Sequence, residues 1–368
     1  MTFIVIVIEN FLSMITRLIP RISGAILFLF TAFLIGSGDA VTNPDYALYM
    51  NSYEYKWSNF ESGYTLLSNV GRLLGLDYAG FRMIIAFLSV IILMVGILRI
   101  TNNLSFVAFF YAISLFTIDA IQVRNSLMLS IVVLAFSFLI VRDWKHYLTA
   151  GVLLFLASTI HSLALAFFVP YLLSFFKLRI QRIMGSAMVI LSLIMLIVGE
   201  IFQEQLISVL QFVLNIFGSR SDAGSNVASV YTNSSGSIAI FAAFMVAIVS
   251  MLIVLYLSLE VEDNTKVGNL TQVVIPMVML GLVAVMMMET SSDYVRLLRN
   301  TSLFVFIYFA TFLGQRQQLP LWLNKRGTFF TVCLLLVASV TFYLQNYAVY
   351  PAATGALPYT VQIRTNNE

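Results

Sequence analysis

Residues 83–98 read MIIAFLSVIILMVGIL, an uncharged apolar run long enough to cross most of a bilayer as a helix. Residues 127–141, LMLSIVVLAFSFLIV, repeat the pattern, and similar runs recur along all 368 residues. The chain is 60% hydrophobic and 10% charged, with a mean hydropathy of +0.94. A lipid-facing β-barrel would show short segments of alternating apolar and polar residues, and these runs do not alternate. The expected fold is therefore all-α: a polytopic integral membrane protein.

Apolar stretches between polar breaks fall near 3–16, 22–37, 82–98, 104–120, 125–141, 148–161, 163–176, 183–200, 238–258, 271–288, 300–314 and 327–346, which predicts about 12 transmembrane helices. Short cytoplasmic loops collect Lys and Arg. With the Arg17/Arg21 turn inside, the cytoplasmic set becomes Arg17, Arg21, Arg99, Arg142, Lys145, Lys177, Arg179, Arg182, Lys266, Arg316, Lys325 and Arg326. That is 12 of the 20 basic residues, against four of the 17 acids, Asp143, Glu260, Glu262 and Asp263. The outer side then holds 8 basic and 12 acidic residues, and Glu9 falls inside the first span. Splitting residues 147–176 into two helices that turn at His161 keeps Lys177, Arg179 and Arg182 inside, with Pro170 kinking the returning helix.

The chain reads as a single membrane domain over residues 1–368, without internal repeats, and with three outer elaborations near 38–80, 201–237 and 289–299. The first holds NPDYALYMNSYEYKWSNFESGY (43–64), whose aromatics suit an interfacial belt or the apolar walls of a sugar cleft. In the second, Glu204, Ser208, Gln211 and Asn215 recur at helical spacing, which predicts an outer amphipathic helix ahead of a loop, SRSDAGSNVASVYTNSSG (219–236). The third is METSSDYVRLLRN (288–300), a short polar turn.

On this threading Asp45, Glu61, Arg124, His161, Asp293, Arg296 and Arg299 all come out on the outer side. Arg124 stands in DAIQVRNSL (119–127), beside Gln122 and between two apolar spans. A charge within hydrocarbon costs roughly 2.5–3.5 kcal/mol, so this arginine either snorkels, pairs with Asp119, or binds an anion with its guanidinium fork. Arg296 and Arg299 share a helix face. Asp293 can tie Arg296, whereas Arg299 has no acid at that spacing and is the stronger ligand candidate. Asp45, near Tyr49, and Glu61 are either solvated loop acids or a general base acting on a hydroxyl. His161 either ends a helix by bonding a carbonyl, or carries a proton or donates to phosphate.

No P-loop, dinucleotide fingerprint, HExxH or nucleophile elbow is present, which disfavours ATP hydrolysis, redox chemistry and zinc proteolysis. Cys333 is the lone cysteine, and neither His146 nor His161 stands at a metal-ligand spacing, so no metal site is expected. A net charge of +3 gives no reason to expect nucleic acid. The N-terminus lacks a basic region and a cleavage site and reads as a retained span.

The ordered set Asp45 with Tyr49, Glu61-Ser62-Gly63-Tyr64, Gln122-Val123-Arg124-Asn125, His161-Ser162-Leu163-Ala164, Arg296 with Arg299, and Pro358-Tyr359 resembles the EpsG-type, Wzy-like polysaccharide polymerases of bacterial exopolysaccharide and capsule clusters. Two positions depart from that pattern: Ser62 where a proline is expected, and Asn125-Ser126 where Gln-Ala is expected. The resemblance implies a multi-pass protein of the bacterial cytoplasmic membrane with its active site facing outward. Its implied substrates are undecaprenyl-pyrophosphate-linked oligosaccharides, one as donor and one as acceptor, among membrane lipids. A chain-length regulator and a flippase of the same pathway are the implied partners, and no cofactor is needed. Asp45 or Glu61 would act as base, Arg124, Arg296 and Arg299 would hold pyrophosphate, His161 would assist, and Gln122 and Tyr49 would line the substrate site. A lipid-linked oligosaccharide flippase or polysaccharide exporter is the alternative from another class, and a polysaccharide ligase is a further one.

Overall fold

The computed structural model describes residues 2–38, 43, 45–56, 60–198, 208, 237–288, 291–316 and 325–348, and among these every regular element is helical. The chain opens with α1 (Thr2–Thr16) and α2 (Pro20–Gly36), then two short helices, α3 (Tyr46–Glu54) and α4 (Ser62–Leu73). Next come α5 (Tyr78–Ile100), α6 (Leu104–Ser114), α7 (Phe116–Ile121), α8 (Val123–Phe138) and α9 (Trp144–Ile160). A 3-10 turn (Ser162–Phe167) leads into α10 (Phe168–Leu173) and α11 (Leu178–Val198). The last elements are α12 (Ser237–Ser258), α13 (Lys266–Met287), α14 (Val295–Arg316) and α15 (Lys325–Tyr343), which ends in a π-turn, Leu344–Ala348.

Among the described residues, each of the twelve expected apolar runs falls mainly on helices. Six of these helices, α5 and α11 to α15, are long and apolar enough to cross a membrane, while α1, α2, α6, α8 and the segment Ser162–Leu173 are shorter apolar helices. The expected count of about 12 thus depends on counting the shorter ones as crossings. The expected amphipathic helix and loop over 201–237 lie outside the described residues apart from Ser208 and Ser237, and so do Pro358 and Tyr359.

Backbone polar groups in an apolar phase must bond within the chain, which favours helices. Many hydroxyls inside the spans bond back to the carbonyl one turn earlier, as Ser89 does to Ile85 (2.7 Å), Thr271 to Val267 (2.7 Å) and Thr311 to Ile307 (2.8 Å). Close crossings use small residues: a Cβ added at Gly96 of α5 would lie 2.9 Å from the Leu134 backbone nitrogen of α8. The turn at His161 is present, and α10 returns along α9, where the Tyr171 hydroxyl donates to the Tyr147 carbonyl at 3.1 Å.

One end of the bundle is tied by arginines that cap helix ends. Arg142 donates to the Ser174 carbonyl (2.7 Å), and Arg182 donates to Ser258 and to the Val261 carbonyl (3.2 Å). Helices α8, α9 and α14 then run from this end to the other, where Arg124, His161 and Arg296 lie. Helix α14 is almost wholly buried and occupies the centre, so its first turn sits in the middle of that far end.

The segment 38–80 departs from the loop expected of it. It carries α3 and α4, and Tyr46, Tyr49, Tyr53, Tyr64 and Tyr78 are buried against one another and against Phe81 instead of forming an interfacial belt. Aromatic rings that stack edge to face lose little by leaving lipid, and their packing makes α3 and α4 a folded cap on this end.

Candidate active site

The far end is organised around a break in the chain. Helix α6 ends at Ser114, α7 runs only six residues, and Gln122 leaves helical geometry (φ −103°, ψ 64°) before α8 begins. Broken helices inside a bundle leave backbone groups for side chains to satisfy. Here the Ala120 carbonyl accepts from Asn43 Nδ2 at 3.1 Å and from Arg82 Nη2.

Arg124 is the second residue of α8, immediately beyond the break, and forms an ion pair with Glu61, both side chains being more than nine-tenths buried. The expected alternative, a pair with Asp119, is not formed: α4 folds back over the bundle and brings Glu61 to Arg124. The second Glu61 oxygen, Oε1, accepts from the Ser162 amide at 2.9 Å, so one carboxylate links α4, α8 and the His161 turn. The Arg124 guanidinium also lies 4.3 Å from the Phe60 ring centre, 5.9 Å from that of Tyr64 and 6.0 Å from that of Tyr49. Burial works against the Glu61 charge, yet Arg124, the Ser162 amide and His161 together outweigh it and hold its pKa below the ordinary glutamate value.

This contact requires Gly63. A Cβ there would lie 2.8 Å from the Thr159 carbonyl oxygen in the last turn of α9. The sequence Glu61-Ser62-Gly63 thus starts α4 with its backbone against α9. Gly63→Ala is expected to push α4 away and lower activity on the order of 10²-fold with normal yield of folded protein, which a turnover assay on detergent-purified protein checks.

His161 ends α9, and its Nδ1 accepts from the Leu163 amide at 3.2 Å, so it bonds the following turn and not, through this nitrogen, a carbonyl. Asp45 precedes α3, and its amide donates to Asn43 Oδ1 at 3.0 Å. Among the described residues its carboxylate has no cation within ion-pair distance, though Arg296, Arg124 and Arg82 are close enough to act on it. Burial raises its pKa; those three arginines oppose the rise and Asp293 adds to it.

Arg296 and Arg299 both start α14. Arg296 pairs with Asp293 at 2.9 Å, and Gln122, with its amide oxygen turned toward α14, accepts from its Nε at 3.1 Å and Nη2 at 3.2 Å. Arg299 was expected to lack an acid, since none stands at helical spacing. It has one from another helix: Asp119 of α7 lies 3.0 Å from its Nη2, with both side chains fully buried. The Tyr111 hydroxyl donates to Asp119 Oδ2 at 2.9 Å, and Asn300, itself paired with Asn125 at 3.2 Å, accepts from Arg299.

Arg299→Ala would strand the Asp119 charge, so it is expected to cost about 3–5 kcal/mol, read as a lowered thermal midpoint in detergent. The double replacement Arg299→Gln with Asp119→Asn is expected to recover part of that loss.

The sequence reading missed Arg82, Asn43, Asn125, Asn300 and Tyr111. Arg82, Asn125 and Asn300 show only polarity at the margin of an apolar run, which many harmless residues share, while Tyr111 falls in the middle of one and Asn43 in a polar segment. Among the described residues no three His, Cys, Asp or Glu side chains converge as a metal would require.

The far end therefore gathers four arginines, Arg82, Arg124, Arg296 and Arg299, with Asp45, Glu61, Asp119 and Asp293 and a wall of tyrosines. Such a set offers guanidinium donors to phosphate oxygens and one carboxylate, that of Asp45, with which no cation pairs among the described residues. A family model described as the EpsG family matches residues 22–361. Neither the comparison with curated proteins nor that with solved structures returns a match.

Proposed function

The chain belongs to the EpsG family, and from that membership we propose that it is a Wzy-like polysaccharide polymerase acting on undecaprenyl-pyrophosphate-linked oligosaccharides at the outer face of the bacterial cytoplasmic membrane. The observation that carries the reading is the arginine cluster around the α7–α8 break, with the Asp45 carboxylate, unpaired among the described residues, beside it. Lys and Arg are enriched at the opposite end, which supports an outward-facing site.

In this reading Asp45 accepts the proton of a sugar hydroxyl on the incoming repeat unit. The oxygen attacks the anomeric carbon of the growing chain, a glycosidic C–O bond forms, and the bond from that carbon to pyrophosphate breaks. The electron pair leaves with undecaprenyl pyrophosphate, whose growing charge Arg124, Arg296 and Arg299 neutralise. Asp45 suits the base role better than Glu61. Both Glu61 oxygens are engaged, by Arg124 and the Ser162 amide, while burial keeps Asp45 readier to take a proton. Glu61 then holds Arg124 in place until phosphate oxygens compete for it, and His161 shapes the turn that carries Ser162. Gln122 orients Arg296, and Tyr49 offers an apolar wall to substrate. The energy is already stored in the glycosyl phosphate bond, so no nucleotide or other cofactor enters the scheme.

Cells lacking this chain are expected to accumulate single lipid-linked repeat units in the outer leaflet, where an added glycosidase trims them. Accumulation in the inner leaflet, shielded from the glycosidase, would make the chain a flippase instead.

A further inference from the structure

Arg82 has no part in the scheme so far, yet it is among the largest fully buried side chains of the protein. From the first turn and a half of α5 its Nε donates to the Ile35 carbonyl of α2 at 3.1 Å, and its Nη2 donates to the Ala120 carbonyl at the end of α7. The Tyr46 ring centre lies 5.6 Å from the guanidinium carbon, and Nη1 has no hydrogen-bond partner among the described residues. Two carbonyls already offset much of the cost of burying a guanidinium, but neither carries a full negative charge. Arg124, Arg296 and Arg299 each face a carboxylate, whereas among the described residues Arg82 has none within ion-pair distance.

The Ala120 carbonyl is shared. It also accepts from Asn43 Nδ2 at 3.1 Å, and Asn43 Oδ1 in turn accepts from the Asp45 amide at 3.0 Å. A continuous path of hydrogen bonds therefore runs from Arg82 through one carbonyl and one side-chain amide to the backbone of Asp45.

We propose that Arg82 is a positioning residue for glycosyl transfer: through the Ala120 carbonyl and Asn43 it fixes the place of Asp45, and it brings near that residue a positive charge with which no acid among the described residues pairs. The inference rests on Asp45 being the base.

Charge and placement make separable contributions. The groups acting on Asp45 are Arg296 and Asp293 at the start of α14, Arg124 of α8, Arg82 of α5 and Tyr49 of α3. Removing the Arg82 charge deletes one of the three influences that oppose burial, so Asp45 holds its proton to a higher pH. A base works only when ionised, so the acidic limb of the pH–rate profile moves toward higher pH. Replacing arginine by lysine keeps the charge but leaves one ammonium to serve two carbonyls, which loosens placement without moving the limb.

The test uses the purified full chain with a defined undecaprenyl-pyrophosphate repeat unit, and measures kcat, KM and the pH dependence of kcat. Arg82→Gln is expected to lower kcat about tenfold or more and to shift the acidic limb upward, with KM little changed. Arg82→Lys and Asn43→Ala are expected to lower kcat with the limb where the wild type has it. A limb that stays in place in Arg82→Gln, or a kcat that does not fall in Asn43→Ala, overturns the inference. If Arg82→Gln does not fold, Arg82→Lys and Asn43→Ala decide it by the same kcat criterion. Asp45→Asn separates this from the underlying reading. If that variant keeps the wild-type rate, the base assignment fails. If it is inactive while the Arg82 and Asn43 variants behave as wild type, only the present inference fails.

Discussion

Asp45→Asn is expected to lower the rate of chain extension by about 10²–10⁴-fold while the yield and thermal midpoint of the protein stay near wild type. Asparagine has nearly the same shape, and the Asp45 amide keeps its bond to Asn43. No ion pair is broken, because among the described residues the Asp45 carboxylate has none. The lost function is then proton acceptance alone. The sign of the pH effect follows from the same geometry. Burial raises the Asp45 pKa against the pull of Arg296, Arg124 and Arg82, so the wild-type rate falls as pH drops through that raised value. Chain extension by Asp45→Asn at the wild-type rate would transfer the base role elsewhere, with Glu61 the next candidate.

Arg124→Ala is expected to lower kcat/KM by about 10²–10³-fold, the effect typical of deleting one donor that stabilises developing charge. One Arg124 arm pairs with Glu61, while its Nε is buried without a partner among the described residues and can serve a phosphate oxygen. Because the replacement also strands Glu61, it carries a stability cost that must be separated from catalysis. Arg124→Ala combined with Glu61→Gln removes the stranded charge, and its thermal midpoint is expected to return toward wild type while activity stays low. Recovery of activity together with stability would mean that Arg124 only holds the fold. The measurements are thermal unfolding in detergent and initial rates across repeat-unit concentrations.

The parts of this protein that were legible in its sequence are those set by local pattern. Uncharged runs such as 83–98 and 127–141 specify helices wherever they fall, because an apolar surroundings leaves the backbone no other partner. The turn at His161 followed from charge alone, since a continuous helix would carry Lys177, Arg179 and Arg182 to the wrong side. Asp45, Glu61, Arg124, His161 and Arg296 were also expected at one end, and that end gathers them.

Partnership was not legible. Arg124 chose Glu61 over Asp119 because α4 folds back, and Asp119 was left for Arg299 on a helix far along the chain. Helical spacing can propose the Asp293–Arg296 pair, three residues apart, but it is silent on pairs made between helices. The tyrosines of 43–64 suit a membrane interface equally well by composition. Only the packing of Tyr53 and Tyr64 on Phe81, and of Tyr46 and Tyr49 on neighbouring tyrosines, shows that they build a cap. Arg82 escaped notice for a related reason: its partners are carbonyls of α2 and α7, and a carbonyl leaves no mark in a sequence.

The most direct test supplies purified protein in detergent with a chemically defined undecaprenyl-pyrophosphate repeat unit, adds no nucleotide, and resolves the products on a gel. A ladder of bands spaced by one repeat unit, with undecaprenyl pyrophosphate released once per bond formed, is the predicted result. Folded protein that leaves the correct repeat unit unextended, or that extends it only when a nucleotide is added, would contradict the account.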